Sequence, residues 1–248
     1  MSLRDRIRRG LEGDGRKRDY VRDLFGRIAG RYDLTNDVMS LGLHRRWKDR
    51  LVELAELEPD HRVLDLASGT GDLALRAARR MREGTVVAAD LTPEMMREGR
   101  RRPGAGGVRW TRADALDLPF ADGSFDRVLI GYGLRNFSDL SRSLAEIHRC
   151  LRPGGRLLSL DFGKPEAGWL RAAYLRYLEA STTAAGWVLH RDPEAYLYIP
   201  ESLRRYPAQE EICALMNGAG FRPCAWVDLM FGTMAIHVAH RAERRSGD

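Results

Sequence analysis

A chain of 248 residues, 44% hydrophobic and 31% charged, can build a core of ordinary size, and this composition excludes collagen-like, disordered and disulfide-scaffold classes. Basic residues outnumber acidic ones 41 to 35, a net charge of +6, and Lys occurs only at Lys17, Lys48 and Lys164. This Arg-rich balance fits either a solvated surface or attraction to an anionic membrane leaflet; no basic stripe interleaved with aromatics points to nucleic acid.

Residues 1–19 are polar, with Gly10, Gly13 and Gly15, and read as a basic flexible arm without the apolar run of a signal peptide. Residues 20–58 read as an N-terminal helical lid. Tyr20, Val21, Leu24, Phe25 and Ile28 fall at helical spacing, and Arg45–Leu57 places Trp47, Leu51, Leu54 and Ala55 on one face. From 59 to 240 the pattern alternates. Short apolar runs at Arg62–Leu66, Thr85–Ala89, Val108–Arg112, Arg127–Ile130 and Arg156–Leu160 predict strands. Helices are predicted between them over Asp72–Met81, Pro93–Arg101 and Leu140–Leu151. That order predicts an α/β fold, a mostly parallel sheet with helices on both faces.

The rhythm then changes in a predicted substrate-side insertion, 165–206. Gly168–His190 reads as a long helix, followed by a loop with Tyr196, Tyr198 and Pro200. On that helix Trp169, Leu170, Ala173, Tyr174, Tyr177 and Leu178 recur at helical spacing, either to pack on the sheet or to meet an apolar tail or a bilayer. A helix over Pro207–Gly218, strands over Phe221–Asp228 and Thr233–His240, and a tail 241–248 complete the chain. His237 and His240 read as structural. Cys150, Cys213 and Cys224, odd in number and scattered, suggest neither a disulfide framework nor a metal site, which fits a reducing cytoplasm. No apolar run reaches bilayer-spanning length.

The strongest local signal is Asp65-Leu66-Ala67-Ser68-Gly69-Thr70-Gly71-Asp72, a strand running through a glycine turn into a helix. Gly69 and Gly71 permit a tight turn and close ligand approach. Gly69-Thr70-Gly71-Asp72-Leu73-Ala74 also fits a dinucleotide fingerprint, so a nicotinamide-dependent oxidoreductase is the rival reading. The acids decide against it. Asp72 sits where a pyrophosphate would bind, with Asp65 close behind, and these charges would oppose a diphosphate by roughly several kcal/mol. Asp114 and Asp161 add carboxylates at strand ends. S-adenosylmethionine carries a sulfonium, an ammonium and one carboxylate, and suits an acidic crevice.

The wider pattern resembles the class I methyltransferases. Asp65-x-x-x-Gly69-x-Gly71 looks like their first motif, Asp90 like their ribose-binding acid, and Asp114-Ala115 like the pair that meets the adenine. Phe120–Asp126 and Leu151-Arg152-Pro153-Gly154-Gly155 resemble the approaches to their fourth and fifth strands. The resemblance implies a Rossmann-like, seven-stranded sheet and S-adenosylmethionine held by Asp65, Ser68, Gly69, Thr70, Gly71, Asp90, Leu91, Asp114, Ala115 and Gly131. A binding module without catalysis would share these features.

Three further segments resemble the demethylmenaquinone and ubiquinone-pathway C-methyltransferases: Tyr32–Ser40 with Gly42–Lys48, Tyr132–Asp139, and Tyr198–Ser202 with Tyr206-Pro207. Gly131 stands where many members of that family carry Ser, which removes a side-chain contact. The resemblance implies C-methylation of a reduced polyprenyl quinone precursor, most readily demethylmenaquinol. A ubiquinone-pathway benzoquinol or a lipid amine is the alternative acceptor. Such an enzyme must align the reactants, stabilise a phenolate and accept a proton. Arg135 is the candidate for the phenolate, with Asn136 placing a donor or a water. Tyr32 would orient the ring, and His44, or a water held by Asp37, would take the proton. Asn36, Tyr196 and Tyr198 complete the predicted acceptor site. The Asp33–Asp37 cluster has the plainer reading of a helix cap. A polyprenyl acceptor implies a cytoplasmic protein working peripherally on the inner membrane face; a homodimer is left open.

Overall fold

A computed structural model describes residues 3–185 and 193–243. Seven strands form one sheet in the order β3-β2-β1-β4-β5-β7-β6. β1 (Arg62–Leu66), β2 (Thr85–Asp90), β3 (Val108–Arg112), β4 (Phe125–Gly131) and β5 (Leu151–Phe162) run parallel. β7 (Met234–Arg241) lies antiparallel between β5 and β6 (Phe221–Leu229). The order reverses at β1 and β4, so the crevice outside their carboxyl ends is where a ligand of such a sheet binds.

The central strands are buried on both faces, and successive side chains enter two separate cores. Leu64, Leu66, Val128 and Ile130 pack with Leu144 and Ile147 of α7 (Leu140–Cys150) and Ile212 of α10 (Gln209–Gly218). On the other face Val63, Leu129 and Leu158 meet Leu51 and Val52 of α4 (Leu43–Leu54) and Leu73, Ala74 and Ala77 of α5 (Asp72–Arg80). Each fully buried aliphatic side chain contributes about 1.5–3 kcal/mol.

A third cluster lies off the sheet and corrects two expectations. Residues 1–19 are no flexible arm where described: α1 (Leu3–Gly10) and the first turn of α2 (Asp14–Ile28) are helical. Ile7 is fully buried and Leu11 nearly so, against Leu24, Ile28 and Tyr198. Two apolar residues four apart among arginines look solvated until their distant partner is supplied. Tyr198 belongs to the second correction. It lies on a helix, α9 (Pro193–Arg205), with Pro200 inside it, rather than on a loop. A helical Pro loses a hydrogen bond and crowds the preceding turn; packing against α1 and α2 holds the helix nonetheless. A helix unmarked by periodicity, α3 (Tyr32–Ser40), joins α2 to α4. α8 is described over Gly168–Ala185; the rest of the predicted Gly168–His190 helix lies outside the described residues.

The cysteine reading is also corrected. Cys213 of α10 and Cys224 of β6, eleven residues apart, form a disulfide with Cα atoms 5.6 Å apart. The tight turn at Ala219-Gly220 folds strand back along helix, a proximity that spacing alone does not reveal. Cys150 is buried and free. No helix among the described residues is long and apolar enough to cross a membrane.

Candidate active site

The loop between β1 and α5 carries positive φ at Ala67, Gly69 and Gly71. Gly71 lies flush against Trp110: a Cβ there would sit 2.4 Å from the indole, and one at Gly99 of α6 (Pro93–Arg100) 2.3 Å from the same ring. Beneath the loop Asp65, 1% exposed, accepts the Ala74 N–H at 2.8 Å. Burial pushes its pKa up to about 8, against the pull of that hydrogen bond and of Lys48. Asp90 accepts Gly69 N and Thr92 N, both at 2.7 Å, one on each oxygen. Burial raises its pKa too.

A small cavity of about 100 Å³ opens at this edge. Of the predicted cofactor residues, Gly69, Asp90, Leu91, Asp114, Ala115 and Gly131 line it. Asp65, Ser68, Thr70 and Gly71 do not; they shape the loop. The Ser68 hydroxyl is buried without a partner among the described residues, and Thr70 donates to Asp33 at 2.9 Å. Gly131 faces Leu73, whose Cδ1 would lie 2.9 Å from a Cβ, so a Ser here would require Leu73 to move. Arg18, Arg22 and Phe25 of α2 cover the cavity, and Arg18 pairs with Asp114 at 3.3 Å.

A second, mostly apolar cavity of about 420 Å³ lies alongside. Helices α2, α3, α4, α8 and α9 wall it, with the β6–β7 turn at one side. Phe25, Tyr32 and Tyr132 line both cavities, so the two meet at these three rings. Asn36, His44, Arg135 and Tyr198, predicted for the acceptor, line the second. Tyr196 lies on α9, with its side chain outside the described residues.

Arg135 is buried and paired. Its Nη1 donates to Asp161 at 2.9 Å and to the Tyr132 carbonyl at 2.6 Å, while its guanidinium rests on Phe162, 4.9 Å from the ring centroid. Burial works against its charge, but Asp161 together with Tyr198 and Tyr32 outweighs that and raises the pKa, and Nε is left without a partner among the described residues. Asn136 faces the cofactor cavity and acts as a brace. Its amide donates to the Tyr132 carbonyl at 3.3 Å and its oxygen accepts the Tyr198 hydroxyl at 2.7 Å. His44 Nε2 meets Asp37 Oδ1 at 2.8 Å, and Nδ1 is buried without a described partner. Burial pushes this imidazole below its usual pKa, against the hydrogen bond to Asp37.

Sequence reasoning assigned no role here to Tyr132, Lys48 or the pairing of Asp161. Tyr132 holds φ 61° at the seam, its N–H given to Leu160 O at 2.7 Å. Lys48, buried, reaches Asp72 at 2.8 Å. Burial of Asp72 disfavours its charge, yet Lys48, Arg76 and Arg102 hold its pKa well below the usual range. A charge within an otherwise amphipathic helix was the available sign for Lys48. Residue spacing carried no sign of the Arg135–Asp161 pair.

The model of the ubiE/COQ5 methyltransferase family matches residues 14–241. The chain belongs to this family. A demethylmenaquinone methyltransferase of Thermus thermophilus is 44% identical over 220 residues, covering 88% of this chain and all of that protein (100%). A ubiquinone/menaquinone biosynthesis C-methyltransferase of Rubrivivax gelatinosus is 43% identical over 230 residues, covering 92% of this chain and 90% of that one. Among solved structures, a methyltransferase of Thermotoga maritima superposes with a TM-score of 0.64 at 20% identity, covering 89% of this chain and 99% of that one, which supports the class I fold. S-adenosylmethionine is the cofactor of this ubiE/COQ5 methyltransferase. The chemistry of the first cavity suits it: the Asp90 and Asp114 carboxylates are acceptors for hydroxyl or amine groups, and Gly69, without a Cβ, leaves the backbone open to a ligand.

Proposed function

We propose that this chain methylates a ring carbon of a reduced polyprenyl quinone precursor, demethylmenaquinol giving menaquinol. One observation carries the reading: a small carboxylate-edged cavity and a larger apolar one meet at Phe25, Tyr32 and Tyr132, with a buried arginine on the apolar side. A bicyclic aromatic ring with a prenyl tail suits such an apolar chamber. The names of the relatives support a quinol acceptor, and that of the Thermus protein supports the menaquinone precursor.

S-adenosylmethionine, when bound, supplies an electrophilic methyl group. The chain's residues prepare the acceptor. Tyr32 and Phe25 align the ring at the seam. Arg135, charged and held in place by Asp161, stabilises the phenolate that makes the neighbouring carbon nucleophilic. Asn136 fixes Tyr198 and the Tyr132 carbonyl, and so the Arg135 approach. His44, neutral at neutral pH with Nε2–H on Asp37, offers Nδ1 to the departing proton. The segment 20–58 serves as a lid: Asp33 accepts the Thr70 hydroxyl, and Arg18, just ahead of the segment on the same helix, pairs with Asp114, tying the helices down beside the cofactor cavity.

The test is incubation with isotopically labelled S-adenosylmethionine and each reduced precursor, followed by mass analysis. Label is expected on the naphthoquinol ring. Transfer to a benzoquinol alone, or to neither, would overturn the proposal.

A further inference from the structure

Several of the large apolar side chains that stand exposed among the described residues gather around one opening. Leu41 (82% exposed), Met230 (50%), Phe231 (87%) and Tyr177 (49%) all line the mouth of the apolar cavity. Beside them α3 turns Leu34 and Val38, each 49% exposed, outward. Leu34 and Val38, four residues apart, share one face of the helix, and Leu41 follows at its left-handed C-cap. Trp169, 76% exposed at the start of α8, precedes Leu170 of the cavity wall. A helix in a water-soluble protein ordinarily turns such a stripe inward.

The tip of the β6–β7 turn shows that the exposure is built. Met230 and Phe231 hold φ of 47° and 58°, the left-handed region that side-chain-bearing residues avoid. The turn is closed by Gly232 N to Leu229 O and Thr233 N to Met230 O. Backbone strain of this kind persists where surroundings impose it and is concentrated at functional sites. Here it points an aromatic and a thioether into solvent. Exposed Arg46 and Arg171 stand next to the same elements, in a chain of net charge +6.

We infer that this face is the one that docks on an anionic bilayer, with Leu34, Val38, Leu41, Trp169, Met230 and Phe231 entering the headgroup and upper acyl region. The inference rests on the lipophilic-acceptor reading and adds the place of entry. Apolar side chains partition into the interface while arginines meet anionic headgroups. The mouth then opens directly toward the lipid, so a prenyl tail passes between chamber and bilayer without crossing water. Continuity of the patch with the chamber favours a bilayer over a second copy of the chain.

The test uses the whole protein and vesicles of phosphatidylcholine with phosphatidylglycerol, with no quinol present, so its outcome is independent of acceptor identity. The wild type is expected to co-sediment with the vesicles at low ionic strength. The triple variant Leu34→Glu, Val38→Glu, Trp169→Glu, none of which lines either cavity, is expected to bind at least tenfold more weakly. Its affinity for S-adenosylmethionine should be unchanged, which confirms that it is folded. Nitroxide-labelled acyl chains should quench the wild type more than Trp169→Phe. A wild type that stays in the supernatant overturns the inference, as does a triple variant that binds like the wild type or quenching that does not depend on Trp169. A triple variant that turns a dimer into a monomer while keeping its vesicle binding also overturns it and assigns the patch to a second copy.

Discussion

The two cavities share three rings but are built differently. The floor of the cofactor cavity is assembled from strand ends and their loops: Asp90 receives two backbone N–H groups and Asp65 pins the start of α5, while α2 only covers the opening. The acceptor cavity is assembled from helices added around the sheet, whose ties are side-chain contacts between segments far apart in sequence, such as Arg8 with Glu201 and Tyr198 with Asn136. Backbone hydrogen bonds depend little on side-chain identity. A chain only 20% identical can therefore share this fold.

If the acceptor half rests on side-chain ties, its variants should lose turnover before they lose cofactor affinity. Arg135→Ala should have the largest effect. Turnover in single-turnover methyl transfer should fall by about a hundred- to thousand-fold. Leaving Asp161 buried and uncompensated should also cost about 3–5 kcal/mol in urea unfolding. Arg135→Lys separates the two, keeping a charge beside Asp161 while losing the planar fork, and should recover stability more than turnover. Near-normal turnover in the alanine variant would remove Arg135 from the chemistry.

His44→Gln should follow, with a loss of about a hundred-fold. The imidazole pKa is lowered by burial, so the active neutral form prevails at neutral pH and activity falls as pH drops through a value below 6.5. The glutamine variant should lack that acid limb; a limb that persists unchanged assigns it to another group.

The cofactor half is expected to respond in the opposite sense. Asp90→Ala should weaken S-adenosylmethionine binding by about ten- to a hundred-fold, as loss of a charged acceptor commonly costs about 1.5–3 kcal/mol. Calorimetry reads this directly, and unchanged affinity would show that Asp90 serves only the loop.

The smallest effect is at Asp65. Its folded pKa of about 8 stands above the ordinary 3.8, so the folded state holds the proton more tightly. That stability is fully present below about pH 4 and is lost as pH rises toward and through about pH 8. Asp65→Asn keeps an acceptor for Ala74 N and should therefore raise the melting temperature by a few degrees at pH 8, with the gain vanishing near pH 4. An equal shift at both pH values would mean that protonation is not its cause.

The same contrast governs what was legible in the sequence. Central strands announce themselves because burial on both faces forces unbroken apolar runs, as in Val63-Leu64 and Val128-Leu129-Ile130. The start of β5 was missed because Leu151-Arg152-Pro153-Gly154-Gly155 reads as a turn, although Leu151 already pairs with Phe125 ahead of a register shift. α3 escaped periodicity because Leu34 and Val38 face outward, which removes the amphipathic signature. Ile7 and Leu11 looked too sparse to pack, since α9, their partner, lies almost two hundred residues downstream. In the site, Asp90 could be placed by its strand end alone. The roles of Asn136 and Asp161 depend on Tyr198 and Arg135, and no local pattern brings those pairs together.

Trp110 links the two glycines described above into a single steric unit. Gly71 opens α5 and Gly99 lies on α6, yet both rest on one indole that leaves no room for a methyl group at either position. The ring works as a shared spacer between two helices, so the permitted size at each of the three positions depends on the other two. Gly71→Ala or Gly99→Ala alone would push against the indole, and a smaller side chain at Trp110 would relieve that contact at both positions, although the Thr70 carbonyl would still stand 2.9 Å from a Cβ at Gly99. Over evolutionary time such a trio is expected to change together or not at all, and redesign of the cofactor loop has to treat residues 71, 99 and 110 as one choice.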